Sequence, residues 1–148
     1  MKKDRIIYWS ATGIIGLMML FSAYNYFSNP QMAGAFKHLG FPDYFRIELA
    51  IAKILGVAIL LIPQVSNKIK EWAYAGFGIV FISASIAHAS SGDPSSAIIT
   101  PMIFLAILAV SNFYLYKLSK IQKVAKVAVR STKQTSTPSI TKPEFSLS

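Results

Sequence analysis

The chain contains no cysteine, which removes disulfides, thiol relays, iron–sulfur clusters and cysteine-based zinc sites for the chain acting alone. Acidic residues are scarce, with six Asp and Glu against fifteen Lys and Arg, for a formal net charge of +9. Charge of either sign is rare: 14% of the 148 residues are charged while 53% are hydrophobic. A chain this short has room for one domain, and a small soluble domain buries too little of its surface to hide so much apolar area. No phosphate-binding glycine loop, serine nucleophile elbow or zinc motif is present. The basic residues do not form a stripe among polar and aromatic groups, as a nucleic-acid surface would. They cluster at the ends of apolar segments, so nucleic acid is not an expected partner.

What the chain does have is long apolar runs. A helix crosses about 30 Å of hydrocarbon with roughly 20 apolar residues at 1.5 Å each. Four stretches approach this: 6–27, 45–62, 72–89 and 97–116. The second is the least clean, because it holds Arg46, Glu48 and Lys53. Its place between three clear spans argues that it crosses as well. The first run follows a basic start, as a signal peptide does. It is longer than a usual signal core and lacks a small-x-small cleavage site, so it is expected to remain as a span.

Charge sets the direction. Lys2, Lys3 and Arg5 precede the first span, Lys68 and Lys70 lie between the second and third, and Lys117, Lys120, Lys123, Lys126 and Arg130 follow the fourth. The other two connections carry only Lys37 and the border residue Arg46 on one, and no Lys or Arg on the other. The positive-inside rule then puts both termini and the middle loop in the cytoplasm. The expected fold is an all-α membrane four-helix bundle over residues 1–116, N-in and C-in. Tyr8, Trp9, Tyr24, Tyr26, Tyr44, Trp72, Tyr114 and Tyr116 fall near span ends, where aromatic belts form.

Local signals refine this frame. Asp43 and Asp93 stand where helix N-caps are expected, the second followed by Pro94. Asn29–Pro30 followed by Met32, Phe36 and Leu39 predicts a short amphipathic helix on the outer interface. Pro101 predicts a kink in the fourth span. Gly13 with Gly16, and Gly76 with Gly78, offer small surfaces for helix contact. Residues 117–130 place Leu118, Ile121, Val124, Ala125 and Ala128 on one arc with most cations opposite, a basic amphipathic extension suited to anionic lipid. A docking helix for a soluble partner is the other reading. Residues 131–148 are rich in Ser, Thr, Lys and Pro, a composition that predicts disorder.

An ionisable group inside hydrocarbon costs at least about 2.5 kcal/mol at a helix centre, so each one asks for a reason. Lys53 lies near the middle of the second span. It either bonds backbone carbonyls and snorkels, or it holds an anionic or polar ligand or exchanges a proton. Glu48 is about 140° around the helix from Lys53, so the two should not pair. Topology predicts that Asn25, Glu48 and His88 share a layer below the outer surface. That layer is either a Glu–His proton relay or a structural hydrogen bond among three helices. Arg46 sits at the boundary, within reach of headgroups. Ser83 and Ser85 are roughly level with Lys53, and Asn112 reads as interhelical glue. His38 lies in the outer loop, and two histidines so differently placed give no metal spacing. No catalytic residue or metal ligand is assigned.

Several of these segments resemble the DoxX-like family of bacterial four-helix membrane proteins: 36–56 (FKHLGFPDYFRIELAIAKILG), Pro63, 71–78 (EWAYAGFG) and 86–94 (IAHASSGDP). The similarity runs through roughly 7–115 and leaves out the basic tail. The resemblance implies a multi-pass protein of the bacterial inner membrane. The wider family includes a subunit associated with thiosulfate:quinone oxidoreductase and members linked to oxidative-stress complexes, while most DoxX-like members have no assigned activity. Three functions follow as expectations. The first is a non-catalytic component that binds a lipophilic, quinone-like molecule or scaffolds a redox partner, with Lys53, Glu48 and His88 as its polar site. The second is a proton-coupled transporter of small solutes acting as a homo-oligomer. The third, a quinone reductase in its own right, lacks any recognisable flavin, haem or cluster motif, so no cofactor is expected.

Overall fold

A computed structural model describes residues 2–135, and every described regular element is helical. The helices are α1 (Lys2–Ser28), α2 (Gln31–His38), α3 (Asp43–Leu61), α4 (Asn67–Ser90) and α5 (Ser95–Thr135). Prolines punctuate them. Asn29–Pro30 closes α1, and Pro42 immediately precedes α3. Pro63 pushes Ile62 to an extended backbone, φ −76° and ψ 115°, so α3 stops at Leu61. The expected basic extension is the continuation of α5, unbroken through Thr135. The helix therefore enters the segment expected to be disordered, and the remainder of that tail, 136–148, lies outside the described residues.

Two helix ends close with the same glycine device. At α2, the N–H of Gly40 donates to the Lys37 carbonyl and that of Phe41 to the Phe36 carbonyl, with Gly40 at φ +82°. At α4, Gly92 donates to Ala89 and Asp93 to His88, with Gly92 at φ +72°. Both are Schellman motifs, which need a left-handed residue that glycine adopts without steric cost.

The four long helices pack side by side in the cyclic order α1, α3, α4, α5. The short α2 lies on α3 and α1. Its Phe36 is buried, 4.9 Å from the Tyr26 ring in an edge-on pair and beside Phe41 and Phe45. The core between the long helices holds Ile15, Val57, Leu60, Phe77, Phe81 and Leu108. Of the glycines singled out for helix contact, Gly16 faces Val57 and Gly78 faces Leu105, while Gly13 and Gly76 meet no neighbour. The closest approach is at Gly56, which lies against the ring of Phe77.

The outside is as apolar as the inside. Leu17, Phe21, Trp72, Ile79, Ile86 and Phe113 are all more than half exposed. Soluble proteins do not surround themselves with apolar patches of this extent. Helices α1, α4 and α5 are long and apolar enough to cross a membrane. The 19-residue α3 falls short on composition, since it carries Asp43, Arg46, Glu48 and Lys53.

Three interior hydroxyls, those of Thr12, Ser111 and Tyr74, are joined in a directed chain. The Thr12 hydroxyl donates to the Tyr8 carbonyl at 2.8 Å, which uses its only proton. Ser111 must then donate to Thr12 at 2.7 Å, and Tyr74 to Ser111 at 2.6 Å. One α1–α5–α4 path of hydroxyls is thus satisfied without a charged group. Ser85 donates to the Ile98 carbonyl at 3.0 Å, next to the turn where Pro101 breaks the regular ladder of α5.

Candidate functional site

Lys53 is carried to the interior by the third turn of α3, where it is 4% exposed. Its Nζ donates to Ser22 Oγ at 2.8 Å and lies 3.9 Å from the centre of the Tyr26 ring. Both partners come from α1, so the cation is held by a hydroxyl and an aromatic face rather than by a carboxylate. No acid neutralises it among the described residues. Ser83 and Ser85, expected beside Lys53, do not bond to it: Ser85 is engaged with α5, and Ser83 makes no hydrogen bond among the described residues.

A cavity of about 390 Å³ opens beside this lysine. Lys53, Ser22, Ser83 and His88 are among its polar groups, and Phe41, Phe45, Phe81 and Phe104 are among its apolar walls. Phe36 and Leu39, at the end of α2, line it as well. Pro101 borders it too. A large apolar space with few convergent polar groups is the usual form of a small-molecule site.

At the His88 side of the cavity a carboxylate bridges two imidazoles. His38 Nε2 lies 2.9 Å from Asp93 Oδ1, and His88 Nδ1 lies 2.6 Å from Asp93 Oδ2. The two Schellman turns make this possible. The first leaves His38 at the end of α2, and the second folds Asp93 back over the last turn of α4, next to His88. The two hydrogen bonds, that of His88 first, hold the Asp93 carboxyl below its ordinary range. His88 lines the cavity at 29% side-chain exposure, while His38 is 57% exposed at the surface.

This arrangement corrects several expectations. Asp93 is not a helix N-cap; its carboxylate is committed to two histidines. Asp43 is the first residue of α3 and bonds Arg46 Nε at 2.8 Å instead of capping. Arg46 also donates to the Tyr26 carbonyl, so it fastens α3 to α1 where headgroup contact alone had been expected. The predicted layer of Asn25, Glu48 and His88 does not form. Asn25 donates to Phe21 of its own helix at 2.8 Å, and His88 turns to Asp93. Glu48 is exposed on the outer face of α3 and makes no hydrogen bond or ion pair among the described residues. Asn112 is likewise exposed. Among the described residues no cluster of three or more His, Asp or Glu is arranged to hold a metal ion.

Comparison with curated proteins and with solved structures returned no match. Residues 10–111 match the model of the DoxX-like family, a segment that runs from the first core turn of α1 through the Ser111 hydroxyl and contains Lys53, His88 and Asp93. With three helices of membrane-crossing length and a family match over most of its sequence, this chain is a membrane protein of the DoxX-like family.

Proposed function

We propose that the protein is a four-helix component of the bacterial inner membrane that binds a lipophilic, quinone-like molecule in the cavity beside Lys53. In this reading α3 crosses with the other three long helices, and both termini are cytoplasmic, as the distribution of Lys and Arg requires. The observation that carries the proposal is a buried lysine without a carboxylate partner, opening on an aromatic-walled cavity. Such a cation favours a ligand with a carbonyl or oxyanion acceptor. The apolar walls favour a ligand that partitions into the bilayer.

His88, Asp93 and His38 add a line of proton carriers from the cavity to the outer surface. A bound hydroquinone is a proton donor, and this line offers its proton a way out. The same line would serve a proton-coupled transporter. A cavity walled mainly by apolar side chains and bordered by α2 favours a binding component, in keeping with association with a redox partner that supplies the electron chemistry.

Thermal unfolding of the detergent-solubilised protein, with ubiquinone and menaquinone analogues and with thiosulfate, tests the reading. A ligand at about 100 times its dissociation constant adds ~2.7 kcal/mol of stability. Wild-type protein is expected to shift with a quinone and Lys53→Met not to. Equal shifts in both proteins, or none with any quinone, would remove Lys53 from a binding site.

A further inference from the structure

A second cavity of about 390 Å³ lies at the opposite end of the molecule, where α1 begins, α3 ends and α4 starts. Lys2, Arg5 and Lys70 line it together with Trp9, Leu115 and Leu118. By sequence Lys70 is one more orientation charge in a loop. In the structure it stands in the first turns of α4 and is only 4% exposed. Unlike Lys53, it has no hydrogen bond, ion pair or aromatic face among the described residues.

Three physical costs meet at this one ammonium. It is taken out of water, which is expensive for an unpaired charge. Two further cations, Lys2 and Arg5, line the same cavity. It also sits at the positive end of α4, where the helix dipole disfavours cations. The α4 cap residue, Ser66, makes no side-chain bond to the free N–H groups there, so their partial positive charge is not relieved. The nearby acids do not answer these costs. Asp4 is taken by Lys117 at 2.6 Å. Glu71 follows Lys70 directly and so points about 100° away, and it borders a separate small cavity. The Asn67 amide is engaged with Ser119 across the α4–α5 seam.

We infer that this cavity is a binding site for a phosphate-bearing anion, with Lys70 and Arg5 as its principal contacts. A guanidinium and an ammonium facing one space match a phosphate group, the first by paired N–H donors and the second as a point charge. Two sources present that chemistry here, the headgroup of an anionic phospholipid and a soluble phosphate compound. Trp9, Leu115 and Leu118 on the wall give an acyl chain or glycerol backbone an apolar surface. The basic continuation of α5 leaves from the same end.

The test uses the full chain, purified in a neutral detergent and stripped of lipid. Short-chain phosphatidylglycerol, phosphatidylcholine of the same chain length and inorganic phosphate are added separately. Unfolding temperature and native mass spectrometry are the readouts. The site predicts a saturable rise with phosphatidylglycerol, one lipid retained per chain and no rise with phosphatidylcholine. Lys70→Met and Arg5→Gln should each weaken the apparent affinity at least about tenfold, the cost of one lost charge-assisted contact. Lys70→Arg should retain it, and Lys53→Met should respond like wild type, which separates this site from the cavity beside Lys53. The same Lys70-dependent rise with inorganic phosphate alone assigns the site to a soluble phosphate. Equal responses to the two lipids, or to phosphatidylglycerol in wild type and both charge-removing variants, would overturn the proposal. Arg5 is exposed, so Arg5→Gln keeps the test decisive if Lys70→Met does not fold.

Discussion

Replacing Gly56 by alanine places a methyl carbon 2.5 Å from Cζ of Phe77, and 3.0 and 3.2 Å from its two Cε atoms. Ordinary carbon–carbon contact is about 3.5–4.0 Å, so the ring would have to withdraw by roughly 1 Å. Phe77 is 4% exposed and packed in the central cluster, so displacing its ring disturbs that packing. Either the ring leaves its rotamer or α3 and α4 move apart. Overpacking of this kind costs about 1–3 kcal/mol. The expected result is that Gly56→Ala lowers stability by that amount, measured as the shift in denaturant-induced unfolding of the detergent-solubilised protein.

The partner variant makes the reasoning specific. Phe77→Leu alone leaves a void and is destabilising. Combined with Gly56→Ala, it removes the ring that the new methyl strikes. The double variant should therefore lose less than the sum of the singles, with a coupling of about 0.5–3 kcal/mol. Additive losses, or a Gly56→Ala protein as stable as wild type, would refute the close contact. Gly56 also borders a groove shared with Lys53, so a shift of α3 should weaken the proposed ligand binding beside Lys53 as well.

Two further outcomes follow from the geometry. The Asp93 carboxyl, held below its ordinary value of 3.8 by His88 and then His38, stabilises the folded state above the unfolded value, and that contribution is lost as pH falls through the folded one. Unfolding temperature should drop between about pH 5 and about pH 3 more in wild type than in Asp93→Asn, and parallel profiles would exclude the tie. The cysteine-free chain also allows clean topology mapping. If α3 crosses, single cysteines at Lys37 and Gln64 will be labelled by an impermeant maleimide from opposite sides of the membrane. Labelling from one side would leave α3 on the surface.

The local chemistry around Asp93 was partly legible in the chain. His38 stands two residues before Gly40, and His88 is followed by Gly92 and Asp93. A glycine closing a helix, with a carboxylate as the next residue, announces that the carboxylate folds back toward that helix end. Reading Asp93 as a cap overlooked this. The meeting of the two histidines was not legible, because they lie fifty residues apart on different helices and nothing local relates them.

The sequence by itself determined the helical class, the places where prolines and glycines stop the helices, and the membrane setting. Those properties depend on nearest neighbours and on summed hydropathy, both of which are written along the chain. It also marked Lys53 as a buried cation, since a charge deep in an apolar run has few places to go. Only the tertiary structure decided which way each helix face turns. That rotation left Glu48 exposed, gave Lys53 to Ser22 and Tyr26, and buried Lys70, which looked like a loop charge. Helix rotation is set by how neighbouring side chains interlock, as Gly56 does with Phe77, and in a chain apolar on all sides no hydrophobic stripe records it.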